Sequence, residues 1–159
     1  MKKILIYSLL VAVFVGNSGA GCGGNKADDP QPGSNTKLMV GGLWEVTKFV
    51  THDPGDKITL KPKKGAIGYK FFADGKLESC SFGTCAPLGR WSFLLKNGAV
   101  GTGTLTMFIE NKDVQSVYGN KLEGSLEINT DNDIIWVIKG NPIGNTDATQ
   151  MEWTMARTP

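Results

Sequence analysis

The sequence predicts an all-β protein: one antiparallel, up-and-down barrel of eight strands, built from residues 38–159. Three observations predict it. Short runs rich in Val, Ile, Thr, Phe and Trp are separated by clusters of Gly, Asn, Asp and Pro. Within several runs, apolar and polar residues alternate with a period of two, as on a half-buried strand. Beyond residue 37 no stretch keeps a long 3.6-residue period, so helix is limited to one short segment near 111–118.

The chain opens with a different pattern. Met1-Lys2-Lys3 is a positive start, Ile4 to Val15 is an apolar run, and small residues follow from Gly16 to Gly21. This is the three-part layout of a secretory signal peptide over residues 1–21. The apolar run is short of the about 20 residues that a spanning helix needs. Gly19-Ala20-Gly21-Cys22 resembles the bacterial lipobox, which implies acylation of Cys22 and a membrane anchor. Ser18-Gly19-Ala20 would also serve as an ordinary cleavage site after Ala20. Residues 22–37, rich in Gly, Pro, Asn and charge, cannot bury apolar surface and read as a tether. Within them, Asn25-Lys26-Ala27-Asp28-Asp29 is similar to the short acidic export signals of Bacteroidota lipoproteins. The expected location is therefore the bacterial cell envelope, on the outer membrane through a lipid, with surface exposure implied by that signal.

The eight strands are expected near 43–50, 66–72, 75–81, 88–95, 102–110, 121–128, 133–139 and 149–157. Asp74-Gly75 and Asn97-Gly98 are hairpin signals, because both pairs accept positive φ, and 129–132 is a third turn. Alternation then assigns the inner face. Leu122, Leu126 and Ile128 oppose Lys121, Glu123, Ser125 and Glu127. The same parity turns Tyr69 and Phe71, Trp91 and Phe93, Leu105 and Met107, and Met151, Trp153 and Met155 inward. In 133–139 both faces are apolar, which implies cover on both sides or a neighbouring interface.

Three cysteines are present. With Cys22 carrying lipid, Cys80 and Cys85 remain, separated by Ser81-Phe82-Gly83-Thr84. In an oxidising compartment they are expected to form a local disulfide. A zinc site would need further Cys or His ligands nearby, so no metal is expected.

Several short motifs carry a family resemblance. Gly42-Leu43-Trp44 opens the first strand as G-x-W, Phe71 to Gly75 is an F-x-x-D-G hairpin, Gly89-Arg90-Trp91 repeats G-x-W, and Arg157 closes the last strand. Together they resemble the lipocalin-like domains of small bacterial lipoproteins. The resemblance implies an eight-stranded barrel in which Trp44 packs under Arg157 at the closed end.

Composition excludes more functions than it names. Lys and Arg total 17 against 15 Asp and Glu, with two of the cations in the leader, so the mature chain is balanced. The cluster Lys57, Lys61, Lys63 and Lys64 lacks interleaved aromatics and reads as a solvated loop, leaving nucleic acid without support. His52 is the only histidine and is expected in a polar loop, so no catalytic residue and no enzyme activity is assigned. Asp131-Asn132-Asp133 lacks the Gly and distal Glu of a calcium loop and reads as a turn. No cofactor is expected. Two classes remain, for a domain expected to be monomeric. In the first, an inner wall of Tyr69, Phe71, Trp91, Phe93, Trp136 and Trp153 binds a small apolar or amphipathic molecule, the alternative for these rings being a solidly packed core. In the second, the loops 51–65, 80–87 and 140–148 bind a protein, as in a protease or lysozyme inhibitor.

Overall fold

The computed structural model describes residues 39–96, 101–130, 132–139 and 148–158. The leader, the tether and Cys22 lie outside the described residues, as do Asn97-Gly98, Asp131 and most of the 140–148 loop. The described residues form nine strands and one helix: β1 (Leu43–Asp53), β2 (Asp56–Leu60), β3 (Gly68–Phe71), β4 (Lys76–Ser81), β5 (Thr84–Leu95), β6 (Thr102–Ile109), α1 (Lys112–Tyr118), β7 (Lys121–Thr130), β8 (Asp133–Lys139) and β9 (Gln150–Thr158). Every pairing is antiparallel. β1 and β3 to β9 pair in succession, and β1 returns to pair with β9, so eight strands close the barrel. Closure removes the free sheet edges that an open antiparallel sheet would leave.

The ninth strand corrects the expectation of a loop over 51–65. β1 continues to Asp53, which places His52 on a strand rather than in a loop, and β2 folds back on it through Pro54-Gly55. β1 pairs with β3 only at Trp44 and Glu45, so its remaining edge needs another partner. β2 supplies it, with Phe49 opposite Leu60 and Asp53 opposite Asp56. Lys57 therefore lies on a strand, whereas Lys61, Lys63 and Lys64 lie in the connection to β3. β5 also begins earlier than expected, at Thr84, because the Cys80–Cys85 hairpin is paired to its tip.

The inner faces follow the alternation. Leu105, Met107 and Ile109 on β6, Leu122 and Leu126 on β7, and Met151, Trp153 and Met155 on β9 are buried in one continuous core. On β8 the two apolar faces differ: Ile134, Trp136 and Ile138 are buried, and Ile135 and Val137 are only partly covered. Two glycines let large rings fit inside. A Cβ at Gly103 would lie 2.7 Å from the Phe93 ring, and one at Gly124 would lie 2.9 Å from the Trp136 indole nitrogen. Each ring thus occupies the space over a residue without a side chain, a cross-strand device that restores the packing glycine forfeits.

The helix connects β6 to β7 across one end of the barrel. Asn111 caps it by accepting from the Asp113 and Val114 N–H groups, and Gly119 follows its last residue. Val114 is buried, and Val117 and Tyr118 pack against the barrel core. The opposite end holds the described entry of the chain at Met39 and its exit at Thr158. These are called the helix end and the terminal end below.

Candidate functional site

At the terminal end, Trp44 is wholly buried. Its indole N–H donates to the Met39 carbonyl at 2.9 Å. The Arg157 guanidinium lies over the ring, 4.6 Å from its centroid, a cation–π contact. Register explains the meeting, because Trp44 and Arg157 are direct partners across β1 and β9. The Arg157 backbone N–H donates to the Asn132 carbonyl at 2.7 Å, tying the last strand to the β7–β8 turn. Trp91 is closed in the same manner: its indole N–H donates to the Phe72 carbonyl at 3.0 Å, in the turn that Asp74 and Gly75 shape.

The six rings assigned to an inner wall are all buried, and most lie against one another. Tyr69 stacks on Trp153 with centroids 5.7 Å apart, and Trp136 meets Trp153 edge-on at 5.0 Å. Tyr69 lies 6.5 Å from Phe71, which meets Trp91 edge-on at 5.1 Å. Phe93 belongs to the same core and covers Gly103. Phe49 joins the array against Trp153 at 5.9 Å. Simple alternation from Trp44 and Val46 would have turned Phe49 outward. The register of β1 against β9 shifts between Val46 and Lys48, and this irregularity reverses the parity.

The polar atoms of this array are unevenly served. Trp136 is fully buried and Trp153 nearly so, yet neither indole N–H has an acceptor among the described residues. Such donors usually find partners when buried, and each one left unmade costs about 1–3 kcal/mol. Tyr69 and the partly buried Tyr118 bring phenols to the helix-end half of the array. Burial raises the Tyr69 phenol far above its usual range, and Tyr118 lies near enough to add to the effect. Burial pushes the Tyr118 phenol up to about 12. Both therefore stay protonated at neutral pH as hydrogen-bond donors. Ser79, also buried, sits opposite Tyr69 across β3 and β4.

The second candidate region is the β4–β5 hairpin. Cys80 and Cys85 are joined by a disulfide and are direct register partners, with Cα atoms 4.0 Å apart. The tip is Phe82-Gly83, with φ of 46° and 84°, the doubly positive pattern of a type I′ turn. Phe82 is 66% exposed, the aromatic side chain most open to solvent among the described large apolar residues. Its backbone N–H donates to the Gly65 carbonyl, so the tip is tied to the 61–67 connection.

His52 pairs with Lys57 and Gln150 in register, and its Nε2 is buried without a partner among the described residues. Among the described residues no group of three or more His, Cys, Asp or Glu side chains could hold a metal ion. None of their helices is long and apolar enough to cross a membrane. Comparison with protein-family models, with curated proteins and with solved structures finds no match.

Proposed function

We propose that this chain is an envelope lipoprotein, anchored through Cys22, whose barrel takes up a small, mainly apolar molecule bearing a hydrogen-bond acceptor. The supporting observation is the pair of buried indole donors, Trp136 and Trp153, that lack acceptors within an otherwise apolar aromatic array. A ligand carbonyl or carboxylate placed between them would recover the hydrogen bonds that the free protein forgoes. The surrounding rings supply apolar area, and the Tyr69 phenol adds a further donor. Because the rings lie against one another, entry requires them to part. The helix end is the natural place, since Tyr118 and its seven-residue helix close it. An anchored carrier of this kind would sit where apolar molecules partition.

Tryptophan emission tests the reading directly. Titration with a medium-chain methyl ketone should shift or quench emission saturably, and should do so more strongly than an alkane of equal length. Absence of a saturable change with both would overturn it. The anchor is tested separately by intact mass of membrane-extracted protein, which should carry a diacylglyceryl addition on Cys22. A mature chain beginning at Gly21 without lipid would overturn that part alone.

A further inference from the structure

We propose that the Phe82 hairpin tip and the lysine connection beside it dock onto an anionic lipid surface. Phe82 is held in a left-handed conformation that residues with a β-carbon seldom adopt, where Asn or Gly would serve the turn better. The tip is also rigid: a disulfide joins its two strands at the base, and the Phe82 N–H is hydrogen-bonded to Gly65. A large apolar ring is thus presented to solvent on a stiff finger, against local conformational preference.

The 61–67 connection to which the tip is tied carries charge of one sign, whereas Lys70 on β3 stands opposite Glu78. Between Asp56 and Asp74 the sequence holds Lys57, Lys61, Lys63, Lys64 and Lys70 and no acidic residue. Lys61, Lys63 and Lys64 are exposed and lead into Gly65, the residue to which the tip is hydrogen-bonded. An aromatic tip among lysines fits a bilayer surface, where the ring enters the headgroup boundary and each lysine near anionic lipid adds to binding. A protein interface is the poorer fit. Its centre is typically a packed apolar cluster from which lysine is depleted, and Phe82 is flanked here by Ser81, Gly83 and Thr84. The inference is independent of both the ligand and the acyl group. An anchor at Cys22 would only raise the local concentration.

The test uses the full chain carrying Phe82→Trp and vesicles with brominated acyl chains, made of phosphatidylcholine with or without phosphatidylglycerol. The native indoles of Trp44, Trp91, Trp136 and Trp153 are at most 4% exposed, so the unmodified chain supplies the background. Emission from the indole introduced at the tip should be quenched on vesicles containing phosphatidylglycerol and much less on phosphatidylcholine alone. Combining Lys61→Gln, Lys63→Gln and Lys64→Gln should weaken that partitioning on the order of 100-fold. Lys76→Gln, on the far end of β4, should leave it within about twofold, as expected of a charge distant from the contact. No quenching of the introduced indole on anionic vesicles would overturn the proposal and leave the finger to a protein surface. Quenching that ignores lipid charge, or survives the triple substitution, would overturn it as well.

Discussion

The two pairs of tryptophans in this barrel are equally buried but differently served. Trp44 and Trp91, toward the terminal end, each donate their indole N–H to a backbone carbonyl, that of Met39 or Phe72. Trp136 and Trp153, which face each other across β8 and β9, have no acceptor among the described residues. Both acceptors at the terminal end come from irregular backbone, an entering segment and a turn, whose carbonyls are not used by a sheet ladder. Around Trp136 and Trp153 the chain is regular strand, where carbonyls are committed to neighbouring strands. The lesson is that one end of the barrel is finished structurally. The middle retains two indole N–H groups without acceptors among the described residues, departures from the rule that buried polar groups are paired.

The largest test of this contrast is Trp44→Ala. It removes a ring, its hydrogen bond and the surface on which Arg157 lies, and should destabilise by about 3–5 kcal/mol in denaturant titration. Replacing Cys80 and Cys85 together by Ser should cost about 2 kcal/mol, the value expected for closing so short a loop. The barrel should remain folded by circular dichroism, because its core lies elsewhere. Substitution by Phe separates the two pairs most sharply. Trp44→Phe strands the Met39 carbonyl and should cost about 1–3 kcal/mol. Trp136→Phe removes an unpaired donor and should cost less than about 1.5 kcal/mol, all from lost volume. Equal losses at the two sites would break the comparison.

Alkaline pH probes the helix end. The Tyr118 phenol is pushed up to about 12 in the folded protein, whereas an unfolded tyrosine titrates near ~10. Below pH ~10 both states hold the proton, so the contribution is fully present. Above it the unfolded chain releases its proton first, and stability falls as pH rises toward the folded value. Tyr118→Phe should flatten that decline in denaturant midpoints taken on either side of pH ~10, with little change at neutral pH. The smallest effect is expected on the outer surface. Arg90 and Glu110 meet at 2.9 Å but are 38% and 57% exposed, so Glu110→Gln should change stability by less than about 1 kcal/mol.

Much of the barrel is legible in the sequence because strand parity is a local property. The pleat sends alternate side chains to opposite faces, so Leu105, Met107 and Ile109 can be placed inside without knowing their neighbours. Turn chemistry is local too: Asp74-Gly75 forms its hairpin, and Cys80 and Cys85 lie close enough in sequence for one bridge to suggest itself. The pairing of Trp44 with Arg157 comes from resemblance rather than parity, since nothing local relates residues so far apart. β2 escapes a reading by pattern because Asp56–Leu60 is only five residues long and buries none of them fully, and it pairs along the edge that β1 leaves uncovered. Phe49 is hidden by a register shift within β1, which no alternation rule can locate.

The sequence by itself thus determined the strand class, most inner faces, the local disulfide and the Asp74-Gly75 turn, since each depends on a few consecutive residues. Tertiary structure alone decided which indoles find acceptors, that the Phe82 tip is tied to Gly65, and that β1 carries a ninth strand. The physical reason is closure. A hydrogen bond between distant segments, or an edge left uncovered, exists only once the barrel has brought its strands round to meet.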